Sequence, residues 1–449
     1  MWLLPLFPFV ASVSCRIFYR LHVAGNGVPP TGPVLLVANH PNSLLDPFLV
    51  TVAGKRPVRF LAKAPLFSDP LIGWGVRAVG AIPVYRRMDD PTQTGRNEET
   101  FRAVHAALGQ GSAVGIFPEG ISHDRPALVP LKTGAARIAL GAVPLTGGTF
   151  PIVPVGLVFD AKAEFRSSAY VLVGLPVPWE DLAREGVESP TAVRALTRRI
   201  DDALHEVTVN LERREDSELI AAATAIYAAE VSEGPEPRAE GARRIAAARA
   251  LARLSLDGDA DAAAAAQLVT RHATTLALLG LTPADVHGPT ALGSAVRWTI
   301  RRLAPVRLLS AAVAGVGAVV FWLPYVLTRI VAERDSAPDV LATRKLLYGG
   351  ALFKVWILLL ALATGFTFGW LSGVLALILL PLLALQTLSQ GERWAESARD
   401  ARRFFVRRSR AAALSELRAR QREIAQLLSR LYDRAEAARA ASAQVVDRA

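Results

Sequence analysis

The sequence predicts an α/β fold: a largely parallel sheet with flanking helices, followed by an α-helical region and C-terminal transmembrane helices. Two patterns lead there. Between Val34 and Gly174 short apolar runs alternate with amphipathic stretches, the signature of strands and helices layered around a parallel sheet. Beyond residue 303 lie two long apolar stretches without a charged residue, each able to reach across a bilayer. Composition agrees, with 51% hydrophobic residues and a mean hydropathy of +0.29. A chain of 449 residues exceeds what one core organises, so two or three regions are expected.

The net charge of +11 suits nucleic acid, an anionic membrane or phosphorylated and CoA-type substrates. No zinc-finger spacing, RNA-binding aromatic signature or basic-zipper pattern is found, so nucleic acid is not an expected partner. Cys15 is the single cysteine, which excludes an intramolecular disulfide and a thiolate metal cluster.

Taken in order, residues 2–15 are apolar, rich in Phe and Pro, and followed by Arg16 and Arg20. With no basic segment ahead of the apolar run, a signal peptide is not expected. The run is short for a span and reads as an interfacial anchor (residues 1–25) or as a buried helix, with Cys15 a small buried hydrophobe. Strands are expected at 34–38, 58–62, 81–85, 113–117, 152–158 and 170–174, and helices near 47–53, 70–79, 96–108 and 131–140. Ligands of such sheets collect at the carboxyl ends of the strands. His40, Arg86 and Glu119 each follow a strand, after 34–38, 81–85 and 113–117. Three polar groups distant in sequence are thereby expected on one sheet edge.

His40 lies just past a strand end, and Asp46 is close enough in sequence to hold its tautomer, as a general base requires. Asp46-Pro47 also reads as a helix start, with Asp46 as N-cap and Pro47 at the first helical position.

The stretch from Asn39 and His40 to Asp46, Gly80-Ala-Ile-Pro-Val-Tyr-Arg86, Phe117-Pro-Glu-Gly120 and Ile152-Val-Pro-Val155 together resemble the glycerolipid acyltransferase superfamily, in its order and approximate spacing, over roughly residues 30 to 180. The usual pattern has four residues between His and Asp, whereas Pro41 to Leu45 make five here. That loop resembles the fungal-type glycerol-3-phosphate/dihydroxyacetone-phosphate acyltransferases. The resemblance implies an acyltransferase domain, set at 26–215, that moves a fatty acyl group from acyl-CoA or acyl-carrier-protein to a hydroxyl of glycerol-3-phosphate. Lysophosphatidate is the alternative acceptor, and a catalytically silent lipid-binding scaffold is the alternative from another class. No cofactor is implied beyond the thioester co-substrate.

In such a reaction His40 would remove the acceptor's hydroxyl proton, while Asp46 orients the ring and stabilises the imidazolium. The acceptor oxygen is the nucleophile, so Ser43 reads as a turn hydroxyl. Arg86 suits bidentate phosphate binding. Glu119 is assigned to acceptor hydroxyls and to orienting basic neighbours, with Gly120 allowing close backbone approach. Lys132 matches the family's lysine-glycine block and reads as a phosphate or CoA contact or a surface lysine. Lys55, Arg56, Arg59 and Lys63 could hold phosphate, CoA or head groups, or form a solvated face. His123 and Asp124 suggest a metal site, but the chemistry needs none and none is expected.

Beyond this domain, 189–213 reads as an amphipathic helix, 233–237 as a linker, and 216–303 as a helical region, Ala- and Arg-rich from 240. The transmembrane region is set at 304–390. Leu308 to Leu327 matches one span, and Val355 to Gln386 is long enough either to tilt and kink as one span or to double back near 365–373. One long span is preferred, because two crossings put the domain and the Arg-rich tail (391–449) on the same, cytoplasmic side. In that tail Leu414, Leu417, Ile424, Leu427, Leu428 and Leu431 recur at helical spacing, which suits self-association or a membrane-surface helix.

Overall fold

The computed structural model describes residues 2–446 apart from 71, 87–89, 126, 160, 209–213, 231–246, 248–249, 252–253, 255–257, 294–304 and 334–337. The linker at 233–237, Arg87 and parts of 240–303 therefore lie outside the described residues. The chain divides into two compact units, Met1–Leu211 with Thr328–Gly350, and Glu212–Leu327 with Ala351–Ala449.

In the first unit the elements follow as α1 (Phe7–Phe18), β1 (Arg20–Gly25), β2 (Val34–Ala38), α2 (Leu45–Gly54), β3 (Val58–Lys63), α3 (Gly73–Ala78), β4 (Ile82–Val84), α4 (Asn97–Gly109), β5 (Ala113–Ile116), α5 (Gly134–Thr146), β6 (Ile152–Phe159), β7 (Ser168–Val173) and α6 (Pro190–Val207). The strands form one sheet in the order β1-β7-β6-β2-β5-β3-β4. All pairs are parallel except β6–β7. Residues 160–167 joining that pair are too few for a crossover helix, which leaves the antiparallel arrangement.

β2 is central and has all five residues buried. Because side chains alternate across a strand, Leu35 and Val37 enter one core with α4, α5 and α6. Val34, Leu36 and Ala38 enter the other with α1 and α2. A strand covered on both faces reads as a continuous apolar run, which is why 34–38 shows no polar alternation. β1 was not among the expected strands. It is an edge strand whose burial alternates and whose exposed positions include Arg20, so it lacks an apolar run. At the start of α6 the Ser189 side chain accepts a hydrogen bond from the Ala192 N–H and Pro190 takes the first turn, a cap worth about 1 kcal/mol.

α1 buries Phe7, Ala11, Cys15 and Phe18 and leaves Phe9, Val10 and Val13 exposed, as is Leu6 just ahead of it. Burial pushes the Cys15 thiol up to about 12, so it is an inert core group.

The second unit contains α7 (Arg214–Glu230) and α8 (Ala260–Leu279), then α9 (Pro305–Val320) and α10 (Trp322–Glu333), of which α10 begins here and ends in the first unit. α11 (Pro338–Phe368) begins in the first unit and continues here, followed by α12 (Trp370–Ser409) and α13 (Ala411–Val446). Leu414 and Leu417 of α13 pack with Leu276, Leu281 and Val286, and Ile424, Leu428 and Leu431 are also buried. The stripe expected to serve self-association is therefore covered by the chain's own helices.

Within 308–327, expected to match one span, the chain bends by 56° between Val320 and Trp322. Pro324 has no N–H to return to the Val320 carbonyl four residues back, and that carbonyl accepts instead from the Trp356 indole N–H at 2.9 Å. The preference for one long span over 355–386 is corrected, and the alternative, a doubling back near 365–373, is what the chain does. The helix ends at Phe368, Gly369 takes φ +93°, and the chain reverses so that Ser372 Oγ donates to the Thr364 carbonyl at 3.0 Å. A Cβ on Gly373 would lie 3.1 Å from the Gly365 Cα, so only small residues permit this approach. The result is two helices long and apolar enough to cross a membrane, Val340–Phe368 and Trp370–Gly391.

Candidate active site

At the end of β2 the chain is pinned by Asn39. Its Nδ2 donates to the Leu157 carbonyl at 2.9 Å, and its Oδ1 accepts from the Leu157 N–H at 2.7 Å. The side-chain amide continues the β2–β6 ladder by one more rung, which fixes where His40 leaves the sheet. The following turn passes through Ser43 at φ +50°, with the Asp46 N–H donating to the Ser43 carbonyl at 3.3 Å. This turn accommodates the five-residue spacing and returns Asp46, in the first turn of α2, to His40.

The Asp46 Oδ2 lies 2.8 Å from His40 Nδ1 and accepts from the Asn42 N–H at 2.7 Å. Asp46 is wholly buried, whereas the His40 side chain keeps 19% of its surface. Burial pushes the Asp46 carboxyl up, and the His40 hydrogen bond pulls it down. An ionised Asp46 fixes the proton on Nδ1 and leaves Nε2 as the basic nitrogen. Phe117 stacks on the imidazole, centroids 4.1 Å apart and planes 9° apart, and so restrains its rotation.

Glu119 lies beside His40, just past the end of β5. It is 2% exposed. Its Oε1 accepts from the His40 N–H at 2.8 Å, and its Oε2 accepts from the Val129 N–H at 3.0 Å and meets His123 Nε2 at 2.5 Å. The His123 N–H returns to the His40 carbonyl at 3.2 Å. A carboxylate engaged in this way orders the backbone that carries His40 and the ring of His123. His123 Nδ1 accepts from the Arg125 N–H, which puts the ring proton on Nε2, toward Glu119. Asp124 turns elsewhere, to Lys162 Nζ at 2.7 Å, so His123 and Asp124 do not converge.

Arg86 and Lys132 do converge, at Gly120. The Arg86 guanidinium donates to the Gly120 carbonyl at 3.0 Å. Gly120 has φ +73°, and a Cβ there would meet Lys132 Nζ at 2.9 Å. The glycine is required both by its backbone and by the lysine over it. Two cations at one backbone turn carry the chemistry that suits an anion such as phosphate. The basic run after α2 is not such a site throughout. Arg56 donates to the carbonyls of Pro29, Gly32 and Gly111 and Arg59 to that of Gly80, so both are occupied in holding loops.

Sequence reasoning missed Asn42, Tyr19, Lys162 and the stacking part of Phe117. Asn42 and Phe117 stood inside the quoted motifs, but Tyr19 and Lys162 carry no local signal: they reach Asn42 and Pro41 only through the fold.

The family model described as Acyltransferase matches residues 20–158. Glycerol-3-phosphate O-acyltransferase 2 of Saccharomyces cerevisiae is 39% identical over 134 residues, 29% of this chain and 18% of that protein. A chloroplastic 1-acyl-sn-glycerol-3-phosphate acyltransferase of Arabidopsis thaliana is 32% identical over 153 residues, 32% of this chain and 41% of that protein. Glycerol-3-phosphate O-acyltransferase 1 of S. cerevisiae is 38% identical over 114 residues, 24% of this chain and 15% of that protein. The chain thus spans less than half the length of each of these relatives.

Proposed function

Since residues 20–158 form a domain of the acyltransferase family, within the glycerolipid acyltransferase superfamily, we propose that this protein transfers a fatty acyl group from a thioester donor to a hydroxyl of glycerol-3-phosphate in phospholipid synthesis. The single observation that carries the chemistry is the His40–Asp46 pair, 2.8 Å apart with the carboxylate buried and the imidazole reachable. His40 Nε2 takes the acceptor's hydroxyl proton as that oxygen attacks the thioester carbonyl. Asp46 stabilises the imidazolium that forms, and the proton then serves the departing thiolate. Arg86 and Lys132 bind the acceptor phosphate, and Glu119 with Gly120 maintains the loop that presents them. A silent scaffold has no use for a buried carboxylate aimed at a reachable imidazole.

Glycerol-3-phosphate leads lysophosphatidate as acceptor because the five-residue spacing from His40 to Asp46 resembles the fungal-type branch. Donor carrier, acyl-CoA or acyl-carrier-protein, is left open by the site. The unit carrying His40 is proposed to face the cytoplasm, where acyl donors are. By the positive-inside rule the arginine-rich stretch 402–410, which follows the apolar helices 340–368 and 370–391, is proposed to lie on the cytoplasmic side as well. The exposed Leu6 and, on α1, the exposed Phe9, Val10 and Val13 suit the interfacial anchor. Self-association through α13 is not part of the proposal. Turnover of the purified protein with glycerol-3-phosphate, dihydroxyacetone phosphate and lysophosphatidate side by side tests it: glycerol-3-phosphate should give the highest kcat/KM, and transfer to none of the three would refute it.

A further inference from the structure

We propose that Tyr19 and Lys162 are positioning residues for the His40–Asp46 pair, gripping the Pro41–Asn42 turn from the α1–β1 junction and from the β6–β7 connection, an inference that rests on His40 acting as general base. The same Asp46 oxygen that meets His40 Nδ1 also accepts from the Asn42 N–H, so the place of Asn42 sets the place of the carboxylate. Asn42 is completely buried, and its Nδ2 donates to the Tyr19 hydroxyl at 2.7 Å. Tyr19, itself 1% exposed, donates onward to the Lys162 carbonyl at 2.5 Å. Burial pushes its phenol up, which keeps the proton that this bond needs.

Lys162 closes the loop. Its Nζ donates to the Pro41 carbonyl at 2.7 Å and pairs with Asp124 Oδ1 at 2.7 Å. One residue thus holds Pro41 through its side chain and Asn42, by way of Tyr19, through its backbone. The connection is itself fastened: Ser167 Oγ donates to the Ala161 and Glu164 carbonyls, the Arg166 N–H to the Phe18 carbonyl at 2.6 Å, and Lys345 Nζ to the Ala163 carbonyl at 3.1 Å. With His40 held on its own peptide groups by Glu119 and His123, the turn between base and carboxylate is fixed at both ends. Partners that orient a histidine's carboxylate tune its function without touching substrate.

The test compares Tyr19→Phe, Lys162→Met and Lys162→Arg with wild type and His40→Ala. Two readouts are taken: steady-state kinetics, and the downfield imidazole proton of His40 in the NMR spectrum of the detergent-solubilised full chain, identified by its loss in His40→Ala. Tyr19→Phe and Lys162→Met should each lower kcat on the order of tenfold with the acceptor KM nearly unchanged, and should displace or broaden that proton. Lys162→Arg should restore both. In an Asp46→Asn background Tyr19→Phe should add little, since the two act as one unit. Should Tyr19→Phe fail to fold, Lys162→Met, a change at a side chain with 14% exposure, carries the comparison. If wild type turns over, His40→Ala does not, and both variants keep a normal kcat and an unmoved proton, the positioning role is wrong and the base assignment stands. If wild type turns over no acceptor, the base assignment is what fails, and the proton decides the positioning role: displaced in the variants it supports it, unmoved it overturns it.

Discussion

His40 and Asp46 meet at 2.8 Å because Ser43 adopts φ +50° between them. A left-handed residue is costly for most side chains, so the turn concentrates a backbone requirement at one position next to the reactive pair. Ser43→Gly should be tolerated, with kcat within about threefold of wild type. Ser43→Val should be strained at this φ and lower both the melting temperature and kcat. Equal behaviour of the two variants would contradict the turn.

Asp46 separates stability from activity. Its folded-state pKa is raised by burial, so in the window above the carboxyl's ordinary 3.8 the folded protein binds more protons than the unfolded chain. Stability therefore falls as pH rises through that window. Asp46→Asn should remove this slope and leave the melting temperature at pH 7 unchanged or higher, while kcat drops on the order of a hundredfold or more. Thermal melts between pH 4 and pH 7, with activity on the same samples, check it. A variant that melts lower and still turns over would contradict it.

Arg86→Lys should raise the acceptor KM on the order of tenfold, because the bidentate fork is lost, and should leave the donor KM near wild type. Lys132→Ala should act in the same direction. Kinetics at saturating donor check this, and an unchanged acceptor KM in both variants would contradict the anion site at Gly120.

What was legible in the sequence was local. The run Val34 to Ala38 announces a strand because both of its faces are covered, and His40 and Asp46 are near neighbours in the chain. Glu119 was legible as a motif residue, but its bond to the His40 N–H was not, since His40 sits at a different strand end. β1 was missed because an edge strand with Arg20 and His22 has no apolar run. The bend at Phe321 depends on Pro324 and on a carbonyl claimed by Trp356, a partner that only the fold brings near.

His272 is completely buried, and its Nε2 bonds Gln421 at 3.1 Å. Burial lowers its pKa below the ordinary 6.5. Below that pH the unfolded chain binds a proton that the folded one resists, so stability is lost as pH falls from 6.5. His272→Gln should flatten the decline in melting temperature between pH 7 and pH 5. An identical decline in wild type and variant would contradict it.

If the helices 340–368 and 370–391 cross the membrane as a pair, Thr367 lies on the far side from Ser409. With single cysteines at each in a Cys15→Ser background, a membrane-impermeant thiol reagent should label Thr367→Cys in intact cells and leave Ser409→Cys unlabelled until lysis. Labelling of both in intact cells, or of Ser409→Cys alone, would contradict the paired spans.

The most direct measurement is transfer of labelled acyl groups from acyl-CoA to glycerol-3-phosphate by purified wild type and His40→Ala protein of equal melting temperature. With His40 as the base, wild type forms acylated glycerol phosphate and His40→Ala loses on the order of a thousandfold in kcat. Near-normal turnover by a well-folded His40→Ala protein would contradict it.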